Sequence, residues 1–210
     1  NQGVLVVGGG PSGLECALTL GKRGYRVILS ETFSEFGGRV VREGKLPGLE
    51  EWNRVRDHRV YMLERMDKIS IYCGNTLSAS EIIEYSSRDK FDYSHVFLAT
   101  GATWRRDGIG RQHRESIPGL ENLPVFTPDD IMDGVSVYGR VVIFDDDHFY
   151  LGGVLAEKLI NEGHKVLLVT PAPDISTLTH KTLEQRHIQK KLIELGVDLL
   201  PNTVLRSVSK

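Results

Sequence analysis

The stretch Val4-Leu5-Val6-Val7-Gly8-Gly9-Gly10-Pro11-Ser12-Gly13 decides the fold of this chain. Its four aliphatic residues predict a fully buried strand, and its glycines then follow the spacing G-x-G-x-x-G. A helical pattern with one apolar face continues to about Lys22. A strand, a tight glycine turn and a helix in this order form the context in which the spacing indicates a dinucleotide-binding site.

Each residue of this turn has a predicted role. Gly8 permits the turn off the strand, Gly10 lets the backbone approach a pyrophosphate, and Gly13 lets the helix pack closely on the strand. Pro11 suits the first helical turn, where its missing N–H has no helical partner to lose. Together with Ser12 it opens the helix whose free N–H groups and positive dipole end we expect to face the phosphates.

A second strand and an acidic residue complete the unit. Gly24 ends the helix, residues 25–30 predict the strand, and Glu31 follows about twenty residues after the glycines. A carboxylate at this place accepts hydrogen bonds from a ribose diol and disfavours a 2′-phosphate. The sequence therefore predicts a site for an adenine nucleotide.

Two later segments extend the predicted site. Gly38 is the second residue of a glycine pair, and Arg39 follows it; such a pair lets backbone lie close to a ligand or another loop. Residues 96–102 predict a buried strand whose last residues are small, among them Ala99, Thr100 and Gly101. Small residues at the carboxyl end of such a strand let a cofactor approach, because open α/β sheets bind ligands at that end.

The rest of the chain predicts a second β-α-β unit. Strands at 141–144 and 165–169 flank a helix near 151–161, and 197–200 and 204–208 are further strand candidates. We place the domains at 1–132 and 133–210, and we expect the second domain to be truncated because its strand pattern stops without an obvious domain end. Its turn keeps Gly152 but replaces the earlier glycines by Asp145-Asp146-Asp147-His148, so we predict that this unit does not bind NAD(P)H.

Composition excludes several classes of function. A formal net charge of −2 gives no electrostatic case for nucleic acid or an anionic membrane as partner. No apolar run reaches the length of a membrane-spanning helix. The two cysteines, Cys16 and Cys73, form no C-x-x-C pair, so we expect neither a redox dithiol nor a metal site, and a cytoplasmic location. Asp145 to His148 do not form a metal site by this reasoning, since consecutive ligands rarely converge.

The order of these pieces resembles flavoproteins with two dinucleotide-binding domains. More narrowly, the chain resembles the nucleotide-binding region of trimethylamine dehydrogenase and its relatives in the old-yellow-enzyme and 2,4-dienoyl-CoA reductase group. The residues that carry the resemblance are the glycine turn, L-P-G-L-x-x-W at 46–52, A-T-G-A-x-W at 99–104, I-P-G at 117–119, M-D-G at 132–134 and L-A-E-K-L at 155–159. The resemblance implies an α/β fold of two Rossmann-like units with parallel sheets, as in two-domain FAD/NAD(P) flavoproteins.

The resemblance also implies a cofactor and a parent protein. The first site would hold ADP, as in trimethylamine dehydrogenase-like members, or FAD, as in reductase-like members. The parent enzymes carry an N-terminal TIM barrel with FMN and a [4Fe–4S] cluster, and we expect a homo-oligomeric parent. By position, Thr76 and Leu77 would flank the adenine and Gly101 would lie beside the nucleotide. We expect no catalytic residue and no turnover in these residues alone.

Three alternatives remain open at this stage. The first is an FAD-binding, NAD(P)H-dependent reductase module like that of 2,4-dienoyl-CoA reductase. The second is a free-standing NAD-dependent dehydrogenase, although no substrate domain is evident. The third is an interaction module without catalysis, in which the glycine turn is only structural. The nucleotide that co-purifies distinguishes them.

Overall fold

The computed structural model describes residues 3–87 and 93–209, which fall into two compact units, Asn1–Ala102 and Thr103–Lys210. Residues 103–132, which the sequence assigned to the first domain, make their contacts within the second unit. One such contact is the ion pair between Arg106 and Asp130. The division into compact units at residue 102 does not test where a folded domain begins or ends. The domain boundary between residues 132 and 133 therefore stays a prediction.

The first unit is a parallel sheet with helices between its strands. The strand order is β3-β2-β1-β4, with β1 at an interior position. The elements in chain order are β1 (Gly3–Val7), α1 (Pro11–Lys22), β2 (Arg26–Ser30), α2 (Arg39–Glu43), a 3₁₀ turn (Glu50–Trp52), α3 (Asn53–Leu63), β3 (Ile69–Tyr72), α4 (Ala79–Ser87) and β4 (Tyr93–Leu98). The predicted α/β class with parallel sheets is confirmed.

The core of this unit lies between β1, β2 and the apolar face of α1. All five residues of β1 are buried, because the strand is paired on both edges. From α1, Leu14, Ala17 and Leu18 pack against these strands, and Leu63 of α3 joins them. The predicted bounds of α1, Pro11 to Lys22, are those of the structure. Burial of this apolar face, rather than helix propensity alone, stabilises α1.

The expectation that residues 96–102 form a buried strand is half wrong. The strand exists as β4, but Phe97 is 43% and Leu98 71% exposed. β4 is at the edge of the sheet and pairs with β1 alone among the described strands. An edge position leaves one side of a strand uncovered, which composition alone does not reveal.

The second unit is a three-stranded parallel sheet in the order β5-β6-β7. Its elements are a 3₁₀ turn (Leu120–Asn122), α5 (Pro128–Met132), β5 (Arg140–Phe144), α6 (Leu151–Asn161), β6 (Lys165–Val169), a 3₁₀ segment (Thr177–Thr182), α7 (Gln185–Glu194) and β7 (Asp198–Leu200). Thr127 and Asp130 form the capping box that opens α5. Residues 204–208 are not a strand, because the Val208 N–H and the Leu205 carbonyl bond to Pro118 and His113 instead.

None of the helices in the described part of the chain combines the length and apolar character needed to cross a membrane.

Candidate functional site

The first and third glycines of the turn after β1 are required by the fold itself. Gly8 has a φ of +104°, and a Cβ added there would lie 2.3 Å from the Ala99 carbonyl oxygen. A Cβ at Gly13 would lie 1.8 Å from the Gly8 carbonyl oxygen. Both distances are far below van der Waals contact, so a side chain at either position would force β1, β4 and α1 apart.

The second glycine has no such structural reason. Gly10 has an ordinary φ of −70°, and apart from Gly10 and its two chain neighbours no heavy atom of the described chain lies within 4 Å of a Cβ built on it. The fold would therefore accept an alanine at Gly10. An open space beside a backbone without a side chain is what a pyrophosphate needs in order to approach. Gly10 is thus the part of the turn that points to a ligand rather than to packing.

The amino terminus of α1 faces the same space. Gly10 is the N-cap residue, and within the described chain no side chain caps the first turn. Pro11 is the first helical residue, and Pro11 and Ser12 are both exposed. The N–H groups of a first helical turn have no partner inside the helix, and together with the helix dipole they attract anions.

Glu31 holds the glycine turn in place. Its side chain is only 6% exposed, and its Oε2 accepts a hydrogen bond of 2.5 Å from the Gly9 N–H. The Oε1 atom accepts one of 2.9 Å from the Phe33 N–H. Charge-assisted bonds of this kind are stronger than neutral ones, so the carboxylate fixes the turn before any ligand arrives.

Gly9 is a site residue that the sequence reasoning missed. A Cβ there would lie 2.4 Å from the Phe36 ring and 3.0 Å from Oε2 of Glu31. The residue is buried, so a side chain would break the bond that fixes the turn. The sequence did contain a signal, because Gly9 lies between Gly8 and Gly10 at a position where the spacing G-x-G-x-x-G does not require a glycine.

The structure brings the glycine pair Gly37 and Gly38 against the glycine turn that follows β1. The Gly37 N–H donates to the Gly9 carbonyl over 2.8 Å, and a Cβ at Gly38 would lie 3.2 Å from the Gly10 Cα. Gly38 itself has a φ of +52°. Arg39 follows, with one guanidinium nitrogen 3.3 Å from the Ala102 carbonyl oxygen that accepts its hydrogen bond. Gly38 and Arg39 therefore lie beside the open space at Gly10, and their contact with a ligand stays a prediction.

The segment after β4 borders the same edge of the sheet. The Ala99 N–H donates to the Val7 carbonyl over 2.7 Å, which extends the pairing of β4 beyond its last residue. Thr100 and Gly101 are exposed, and Gly101 has a φ of +77° with open space around a built Cβ. These small residues place no bulky side chain at the carboxyl end of β4, and their contact with a cofactor stays a prediction.

The loop after β3 is tied to Glu31. The Asn75 N–H donates to the Glu31 carbonyl over 2.9 Å, and the Asn75 side chain bonds to Ser30 Oγ over 3.0 Å. Asn75, which the sequence reasoning did not single out, thereby anchors Thr76 and Leu77. Thr76 is exposed and Leu77 is half-buried. Their role beside an adenine stays a prediction.

The gathered groups are of the kind that bind a ligand. The open space is bordered by backbone N–H groups, glycines and one buried carboxylate. Among the described residues, no group of three or more His, Cys, Asp or Glu side chains is placed to hold a metal ion. The arrangement suits a diphosphate at the helix terminus with a polyol near the carboxylate.

The corresponding turn of the second unit, between β5 and α6, is built differently. Asp145 follows β5 and is 4% exposed, and burial raises the pKa of its carboxyl. A Cβ at Gly152 would lie 2.8 Å from the Asp145 Cγ. A side chain thus fills this turn where the first unit has bare backbone.

Two family models match the chain. Residues 2–133 match the pyridine nucleotide-disulphide oxidoreductase model, and residues 126–210 match the OYE-like second alpha/beta domain. Both matches agree with the two Rossmann-like units that the sequence predicts.

Similar proteins support the narrower resemblance. The chain is 38% identical to dimethylamine dehydrogenase from Hyphomicrobium sp., over 95% of this chain and 27% of that protein. The structure of histamine dehydrogenase from Rhizobium sp. 4-9 is 42% identical with a TM-score of 0.93, over 99% of this chain and 32% of that one. The 6-hydroxypseudooxynicotine amine oxidase from Pseudomonas geniculata N1 is 43% identical with a TM-score of 0.92, over 100% and 30%. The chain thus spans about a third or less of these relatives, and its resemblance to the trimethylamine dehydrogenase group is confirmed.

Proposed function

Because this chain belongs to the pyridine nucleotide-disulphide oxidoreductase family, we propose that its first unit holds an adenine nucleotide, ADP or FAD. The observation that carries the proposal is the open space at Gly10. A glycine that neither backbone conformation nor packing requires stands where a pyrophosphate would contact the backbone. The residues present therefore fit the group that the family implies.

The diphosphate would lie on the amino terminus of α1. The uncapped first turn after Gly10 offers N–H donors and the positive end of the helix dipole. Gly38 and Gly101 leave backbone rather than side chains beside the same space. With FAD in place of ADP the chain would hold the group that supplies two-electron chemistry, while the contacts to the adenine half would be unchanged.

Glu31 would bind the ribose as well as the turn. A carboxylate offers about four lone-pair sites, and the N–H groups of Gly9 and Phe33 use two of them. The remaining sites can accept hydrogen bonds from ribose hydroxyls, whereas a 2′-phosphate would meet a buried negative charge. Thr76 and Leu77, held beside Glu31 through Asn75, would border the adenine.

The parent of this region would be a flavin-dependent oxidoreductase. The relatives are three to four times longer than this chain, as the covered shares of 27% to 32% imply. We propose that an N-terminal TIM barrel with FMN and a [4Fe–4S] cluster carries the substrate chemistry, in a cytoplasmic homo-oligomer. The residues of this chain would position a nucleotide beside that barrel and would not turn over substrate on their own.

Co-purification tests the proposal and separates its branches. A yellow protein that releases a flavin on denaturation indicates FAD and favours a reductase module. A colourless protein that releases an adenine nucleotide absorbing at about 260 nm holds ADP or NAD, which mass spectrometry distinguishes. ADP favours the trimethylamine dehydrogenase-like branch, and NAD favours a free-standing NAD-dependent dehydrogenase. Failure to bind ADP, FAD or NADH in calorimetry would contradict the proposal and favour an interaction module.

A further inference from the structure

The strand-to-helix contact of the second unit is made by a side chain. In the first unit the backbone of Gly8 meets Gly13, where a Cβ would lie 1.8 Å from the Gly8 oxygen. In the second unit Asp145 stands directly after the strand, and a Cβ at Gly152 would meet its Cγ at 2.8 Å and its Oδ2 at 3.0 Å. The carboxyl of Asp145 therefore lies between the end of β5 and the first turn of α6.

The carboxyl of Asp145 also accepts hydrogen bonds from backbone N–H groups of its own loop. Oδ1 of Asp145 accepts hydrogen bonds of 3.1 Å from the N–H groups of both Asp147 and His148. Oδ2 has no hydrogen-bond partner among the described residues, although the residue is only 4% exposed. Successive loop amides before a helix are the groups that bind phosphate in dinucleotide sites. Here they already bind an anion that belongs to the same chain.

His148 covers the end of the neighbouring strand. Its backbone has a left-handed φ of +64°, and its Nδ1 lies 3.2 Å from Oγ1 of Thr170. Thr170 is fully buried and directly follows β6, as Glu31 directly follows β2 in the first unit. The His148 carbonyl in turn accepts a hydrogen bond of 2.8 Å from the Leu178 N–H. The imidazole therefore lies where a ribose would meet the strand end.

We propose that Asp145 and His148 act as an intramolecular ligand that fills the dinucleotide site of the second unit from within. The carboxylate takes the place of a phosphate at the loop amides, and the imidazole takes the place of the ribose at the end of β6. The site is closed by occupation and not only by charge repulsion. Removing these two side chains therefore opens a site for a diphosphate ligand at α6. This inference is independent of what the first unit binds.

Chemical rescue tests the inference. The double variant Asp145→Gly/His148→Gly removes both side chains, and glycine accepts the left-handed φ at position 148. Asp147→Gly is the matched control, because its carboxylate makes no hydrogen bond to the described residues. Melting temperature is measured with sodium pyrophosphate and with sodium chloride of matched ionic strength, in a Gly10→Val background that closes the first site. Pyrophosphate should raise the melting temperature of the double variant by about 4 °C or more. It should leave unchanged the melting temperatures of Gly10→Val alone and of Asp147→Gly in the same background.

Two results overturn the inference. One is an equal pyrophosphate response in the double variant and in the Gly10→Val protein without the two substitutions, and the other is saturable NADH binding by that Gly10→Val protein. Amide hydrogen exchange provides a second test that needs no ligand. Asp145→Ala should abolish protection of the amides of residues 147 and 148, and Asp145→Asn should keep it because the amide oxygen still accepts both bonds. Unchanged protection in Asp145→Ala would show that the carboxylate does not bind the loop.

Discussion

Replacing Gly10 separates ligand binding from folding. Gly10→Ala adds one methyl group to a residue whose φ of −70° any amino acid adopts, in a space with no described heavy atom within 4 Å apart from Gly10 and its two chain neighbours. Alanine is a poorer N-cap than glycine by up to about 1 kcal/mol. Glycine removal also restricts the unfolded chain, which stabilises by about 0.4–1 kcal/mol. The two effects offset, so we expect the free energy of unfolding to change by less than about 1 kcal/mol.

Nucleotide affinity should respond very differently. A phosphate oxygen in contact with the Gly10 Cα, at roughly 3.5 Å, would clash with the added methyl group. We therefore expect Gly10→Ala to weaken ADP binding by about 100-fold, or about 2.7 kcal/mol. Gly10→Val, with a branched side chain, should abolish binding. Isothermal calorimetry gives the affinity, and urea denaturation of the same samples gives the stability.

Gly24→Ala is the control at the other end of α1. Gly24 also has open space around a built Cβ, but its φ is +87°. A left-handed alanine costs about 1–2 kcal/mol, so this variant should lose stability and keep its ADP affinity. The two variants should thus show opposite patterns. An ADP affinity of Gly10→Val within about twofold of the original protein would refute the reasoning.

Three further changes test other parts of the account. Glu31→Gln replaces one carboxylate oxygen that accepts a backbone N–H bond by an amide NH₂ group, which is a donor. This variant should therefore lose about 1–3 kcal/mol of stability and bind ADP more weakly. The control variant Glu35→Gln, measured in the same assays, should change neither the stability nor the ADP affinity. Burial raises the pKa of Asp145, so the neutral form stabilises the fold at low pH and this benefit is lost as pH rises; the stability of Asp145→Asn relative to the original should therefore increase from pH 3 to 7 in urea titrations. Arg106 and Thr127 lower the pKa of Asp130, so Asp130→Asn should cost about 1 kcal/mol at pH 6. This cost should shrink as the pH falls below about 3.9, because the unfolded chain then binds a proton that the folded carboxylate does not yet bind, and a cost as large at pH 2 as at pH 6 would contradict the assignment.

The strongest local patterns predicted the fold well. The aliphatic run of β1 and the 3.6-residue period of α1 are long, agree with the glycine turn and are buried together, so local and tertiary preferences coincide. β4 shows the limit of this reasoning. Its composition is that of an interior strand, but burial depends on neighbours that its own residues do not specify. The prediction of a strand at residues 204–208 was wrong for a similar reason, because a loop residue rather than a neighbouring strand bonds to the backbone of this segment.

The sequence indicated several residues that border the open space at Gly10, but not the contacts among them. The spacing identified Gly8, Gly10 and Gly13 together, whereas the structure shows that two of them are needed for packing and one is open to a ligand. The bond between Glu31 and Gly9 joins residues 22 positions apart, and no local pattern reports such a pairing. The inward turn of Asp145 likewise depends on the space beside Gly152, which only the folded chain defines.

The nucleotide content of the purified protein tests the central claim most directly. The protein is denatured after purification and after incubation with ADP or FAD, and the released small molecules are identified by absorbance and mass spectrometry. The account predicts about one adenine nucleotide, ADP or FAD, per chain in the original protein. It also predicts a near-complete loss of nucleotide in Gly10→Val, with an unfolding curve that matches the curve of the original protein after its nucleotide has been removed. Absence of any adenine nucleotide from the folded original protein, before and after incubation, would contradict it.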